Sequence, residues 1–134
     1  QPQWYFMADI RQKPPREDAP LPAVLRESEQ RVFTLHAAPA RHHVRDGTFR
    51  LMTHNPMEDG TWNLAVNGVA LKPTAFIRRP IDHPYPGFLG EPAQYACFTC
   101  PRSAVRTGPN RIEVTRINGK RAKLAYLDLV LPPS

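Results

Sequence analysis

No window of this sequence repeats its apolar residues with a helical period long enough to bury one face of a helix. The nearest approach, Pro22-Ala23-Val24-Leu25-Arg26-Glu27-Ser28-Glu29-Gln30, has room for one or two helical turns. No apolar run reaches the length of a membrane-crossing helix, which argues against a membrane partner. The chain opens at Gln1 with neither a Met nor a signal-peptide apolar stretch. It is therefore expected to be a mature chain or an excised piece of a longer one. Catalytic signatures are missing as well. There is no nucleophile elbow, no Ser-His-Asp pattern and no glycine loop to cradle phosphate. Nor do two acids stand out as a facing pair of the kind a glycosidase needs. These absences point away from an enzyme.

Cysteine is scarce, with Cys97 and Cys100 alone. One C-x-x-C supplies two ligands where a structural zinc needs four. None of the five histidines shows a paired ligand spacing that would complete a site. A redox pair of the thioredoxin kind needs a helix N-terminus behind it, but Cys97-Phe98-Thr99-Cys100-Pro101 is strand-like. In an extended strand, residues three apart stand about 10 Å from each other, beyond the reach of a disulfide. A structural or free-thiol role is expected; a bulge or turn before Pro101 is what a local disulfide would require.

What is present is proline, 16 residues in 134, and short alternating runs. The length suits a single domain spanning 1–134. The clearest local pattern is Gly108–Pro133. Ile112 and Val114 alternate with polar neighbours, Asn118-Gly119 offers a tight turn, and Leu127, Leu129 and Leu131 alternate again before Pro132-Pro133. This predicts a hairpin. Further strands are predicted over Trp4–Ile10, Arg31–Ala37, Gly47–Asn55, Thr61–Asn67, Val69–Leu71 and Tyr95–Thr99, with a second tight turn at Asn67-Gly68. Arg11–Pro22 reads as a loop crossing from one sheet edge to another, and Lys72–Pro92 as a long irregular stretch. About eight short strands separated by turn signals give an all-β fold, an antiparallel sandwich or barrel.

Three segments resemble a known family. Trp62-Asn63-Leu64-Ala65-Val66-Asn67-Gly68-Val69-Ala70-Leu71, the run Phe98–Val114 with its Gly108-Pro109-Asn110-Arg111-Ile112-Glu113-Val114, and Ala125–Leu131 are similar to the strands of galactose-binding-like β-sandwich modules. These are jelly-roll accessory domains of glycoside hydrolases and related bacterial multidomain proteins. The resemblance covers roughly Phe49 to Pro133. It implies a non-catalytic module that binds a polysaccharide or oligosaccharide, or supports other domains of the same chain. It also implies a secreted, periplasmic or cell-surface location. It further allows a structural calcium ion near the closing strand, with Asp128 as metal ligand and Asp46 or Glu58 as contributors.

Sugar recognition needs aromatic faces for the ring and polar side chains for the hydroxyls. The proline-rich stretch offers Tyr85, Phe88 and His83, with Arg78, Arg79 and Asp82 nearby, and this is the first candidate site. Arg50, His54 and Asn63, out of phase with the core on strands taken as adjacent, form the second. Trp62 shares its phase with Leu64 and Val66 and reads as core. A purely structural or protein-interaction sandwich without a small ligand is the alternative. The formal charge of +6 keeps acidic glycans and nucleic acid in view. The basic residues are scattered, however, and only fragments such as Phe49-Arg50 suggest a nucleic-acid face.

Overall fold

A computed structural model describes residues 3–7, 23–39, 44–53, 60–74 and 94–132, giving the backbone alone at 3–7, 60, 94–95 and 125–126. The described residues form ten strands: β1 (Gln3–Met7), β2 (Ala23–Leu25), β3 (Gln30–Ala37), β4 (Gly47–Thr53), β5 (Gly60–Val66), β6 (Val69–Ala70), β7 (Lys72–Thr74), β8 (Gln94–Cys100), β9 (Gly108–Gly119) and β10 (Ala122–Leu131). Among the described residues one 3-10 turn is present, over Arg102–Ala104. The fold is an antiparallel β-sandwich. One sheet has the order β1-β10-β4-β8-β7, with β2 also on β10, and the other is β3-β9-β5-β6. The excess over eight strands comes from short edge pieces. β2 forms where helical turns had room, and β7 forms at the head of the stretch expected to be irregular.

The core lies between the sheets. From the smaller sheet come Phe33 and Leu35 of β3, Trp62, Leu64 and Val66 of β5, and Ile112 and Val114 of β9. From the larger come Phe49 and Leu51 of β4, Phe98 and Cys100 of β8, and Leu127, Leu129 and Leu131 of β10. Each leucine buried this fully contributes about 1.5–3 kcal/mol by leaving water. In β4, β5, β9 and β10 the inward phase is the one the apolar alternation predicts, in β3 it is that of Phe33 and Leu35, and Trp62 is core, 4% exposed.

β9 and β10 are not a hairpin. β9 pairs with β3 and β5 in the smaller sheet, while β10 pairs with β1, β2 and β4 in the larger. The chain crosses the sandwich between them. The reason lies in the side chains. A two-residue turn at Asn118-Gly119 would set Lys123 beside Val114 and Arg121 beside the buried Arg116, forcing charge into the core. Instead, Asn118 and Gly119 stay in the ladder opposite Thr61 and Gly60. Gly119 adopts φ 105°, a conformation that favours glycine, as the strand ends. Arg116 secures the corner: its Nε and Nη2 donate to the Lys120 carbonyl at 3.3 and 3.0 Å. Its guanidinium also lies 4.8 Å from the centroid of the Trp62 ring.

β1 and β2 lie end to end along one edge of β10, Gln3–Met7 against Leu131–Leu127 and Ala23–Leu25 against Leu124–Ala122. Arg11–Pro22, expected to be a crossing loop, lies outside the described residues. The break coincides with a register shift in the β4–β10 ladder between Leu124 and Tyr126. That bulge converts an inward phase of Ala122 and Leu124 into one of Leu127, Leu129 and Leu131.

The expected turn at Asn67-Gly68 is present, with φ 50° and 83°, and Val66 faces Val69 across it. Asn67 also ties this turn to the 3-10 turn and to the start of β9. Its Nδ2 donates to the Ala104 carbonyl at 2.7 Å and to Asn110 Oδ1 at 2.9 Å, and its Oδ1 accepts from the Arg111 N–H at 2.9 Å. Buried Asn110 donates in turn to the carbonyls of Leu35, Arg106 and Gly108. The Gly-x-Asn run is therefore a backbone clamp.

Candidate functional site

The two sheets present very different outer faces. In the larger sheet, Arg50, Met52, Cys97, Asp128 and Val130 point away from the core, yet none is more than 3% exposed. The outer face of that sheet is thus dry around β4 and its neighbours, while Val24, Thr99 and Lys123 on the same face are exposed. Arg50 and Asp128 face each other in the β4–β10 ladder. The Arg50 Nε donates to Asp128 Oδ1 at 2.8 Å and its Nη2 donates to Oδ2. The pair is bidentate and buried, so being out of phase with the core does not put Arg50 in solvent. Asp128 as a calcium ligand fits poorly with this arrangement, because both carboxylate oxygens already serve a cation. Among the described residues no three His, Cys, Asp or Glu side chains gather to hold a metal. Asp46 accepts from the Arg102 backbone N–H at 3.0 Å and tethers the 3-10 turn.

Cys97 and Cys100 are both buried, and they are not bridged. Three residues apart on an extended strand, they face opposite sides of β8, and Cys100 alone joins the core. Burial pushes the Cys100 thiol up from 9.0 to about 12; the nearby Asp46 carboxylate adds to this and the Arg102 guanidinium opposes it. A thiol held protonated is a poor nucleophile.

The smaller sheet is open on its outer side, and the geometry of its strands sets out a grid there. Gln30, Thr115 and Asn63 form one row across β3, β9 and β5. The next row holds Val32, Glu113, Ala65 and Ala70, which extends it onto β6. Ala65 and Ala70 carry only methyl groups, and their longer neighbours stand above them. The result is a shallow groove of about 270 Å³ lined by Gln30, Asn63, Ala65, Ala70, Glu113 and Thr115, together with Leu64 and Leu71. Gln30 Nε2 donates to Thr115 Oγ1 at 3.1 Å, and Arg111 Nε donates to Glu113 Oε1 at 3.1 Å. The Asn63 amide is exposed and makes no hydrogen bond among the described residues.

Of the second candidate set, Asn63 therefore lines a groove, Arg50 is sealed in the other sheet, and His54 lies outside the described residues. Strands β4 and β5 belong to different sheets and are not adjacent in a ladder. The first set, Arg78, Arg79, Asp82, His83, Tyr85 and Phe88, lies outside the described residues too, as does Glu58. Gln30, Glu113 and Thr115 were missed by the sequence reading. The signal was available: they fall on the outward phase of two core strands, and only the pairing of β3 with β9 was needed to bring them together.

No protein-family model matches the chain, and no curated protein matches it.

Proposed function

We propose that this chain is a non-catalytic carbohydrate-binding module of the galactose-binding-like, jelly-roll kind, working as an accessory domain of a secreted or surface-exposed glycan-processing protein. One observation carries the reading: the polar groove on the exposed face of the smaller sheet. Primary amides both donate and accept, as sugar hydroxyls do, so Asn63 and Gln30 are complementary to a polyol. Thr115 adds a hydroxyl and Glu113 a strong acceptor. Ala65 and Ala70 supply a flat apolar floor for the C–H face of a ring. All of these sit on paired strands, a rigid base that lowers the entropic cost of binding.

Binding of neutral and acidic oligosaccharides, screened on a glycan array and followed by titration calorimetry, tests the reading. Saturable binding is expected, weakened at least tenfold by Asn63→Ala or Gln30→Ala. Loss on Tyr85→Ala or Phe88→Ala instead moves the site to the proline-rich stretch. The second reading, a structural or protein-interaction sandwich, draws on Val32 and Ile117, which are 47% and 37% exposed on the outward phase of β3 and β9. It takes over if no glycan binds at millimolar concentration.

A further inference from the structure

The charge of the groove runs against the charge of the chain. At +6 overall, the molecule attracts polyanions, and a pectin- or alginate-like acidic glycan is the partner that net charge alone suggests. Among the described residues that line the groove, however, the one ionisable side chain is Glu113. Its carboxylate is the more inset member of its ion pair, with the Glu113 side chain 27% exposed and that of Arg111 62%. Arg111 already donates to Glu113 and does not line the groove.

From this we infer that the groove selects uncharged, hydroxyl-rich oligosaccharides and rejects those carrying carboxylate or sulfate groups. The inference rests on the reading of this face as a glycan site and names its ligand class. An ionised carboxylate only accepts, so the ligand atom that meets Glu113 must bring a proton. A sugar hydroxyl does, and its bond to a carboxylate is charge-assisted and short. A uronate or sulfate oxygen brings no proton, and two like charges in contact repel. The remaining lining groups do not offset that repulsion: Asn63, Gln30 and Thr115 are neutral, and Ala65 and Ala70 are apolar. The scattered cations elsewhere act at longer range and weaken with salt.

The decisive comparison uses galactose and galacturonate oligosaccharides of equal length, which differ by a carboxylate in place of each hydroxymethyl group. Each is titrated calorimetrically into the full chain at physiological salt. The neutral series is expected to bind at least tenfold tighter. Glu113→Gln should bring the ratio below threefold, chiefly by admitting the uronate. Arg111→Ala, which bares the carboxylate, should widen it. Both substitutions are on the exposed side of a sheet, so each variant keeps the wild-type thermal transition. Uronate binding equal to or tighter than neutral binding overturns the inference, and so does a ratio unchanged by Glu113→Gln. If neither series binds, nor any glycan on the array, the carbohydrate reading itself falls and this inference with it.

Discussion

Arg50 and Asp128 place two charges in a layer with almost no water contact. Their attraction offsets the loss of hydration only while both are present. Asp128→Ala or Arg50→Ala is therefore expected to cost about 3–5 kcal/mol, read as a fall in the urea midpoint. Replacing both with Met and Leu should cost less than either single change, because neither member of the pair is then left charged in a dry layer without the other. A double variant as weak as the singles would refute this. Cys100 is the second residue with a calculable effect. Its folded pKa is raised from 9.0 to about 12, so the unfolded chain loses its thiol proton first. Stability from this group is fully present below pH 9 and is lost as pH rises toward 12. Over this window the wild type should lose stability more steeply than Cys100→Ala. Parallel pH profiles of the two would sink the argument.

At the scale of elements, β10 decides most of the architecture. It has partners on both edges, and its bulge reverses which phase faces the core. Deleting Ala125 would remove the extra residue and hold β10 in one phase. Either Ala122 and Leu124 or Leu127, Leu129 and Leu131 would then face away from the core, so the deletion variant should lose its cooperative thermal transition. Retention of that transition within a few degrees would show that the phase is not set there. The bulge left a trace that the hairpin expectation passed over: Leu124 and Leu127 are both apolar yet an odd number of residues apart. Eight of the strands were legible as short apolar runs between turn signals, whereas β2 and β7 were not. What misled was a dipeptide. Asn-Gly makes a turn at Asn67-Gly68 and ladder at Asn118-Gly119, because a dipeptide specifies permitted torsions and not which strands meet. Charge placement at Arg116, Arg121 and Lys123 held the missing information. The groove was half legible: Asn63 could be picked out by phase, whereas its neighbours depend on long-range pairing that no local pattern records.

The whole molecule is lopsided. One sheet is buried on its core side and, around β4, on its outer side as well, where the charged pair lies, and the other is left with one wet face. The wet face carries Gln30, Asn63, Glu113 and Thr115 on paired strands. The pairing of β1 with β10 adds something of a different kind. Gln3 and Leu131 are direct partners at the same end of an antiparallel ladder. Tension applied through these two points opens the ladder one rung at a time, from Gln3 and Leu131 towards Met7 and Leu127, and never loads all the rungs together. In single-molecule stretching between handles at the two ends, the first event should be a gradual low-force extension as β1 peels away. A sharp high-force rupture at the outset would contradict it. Built into a longer polymer, the sandwich would serve as a soft mechanical link that gives before its neighbours do.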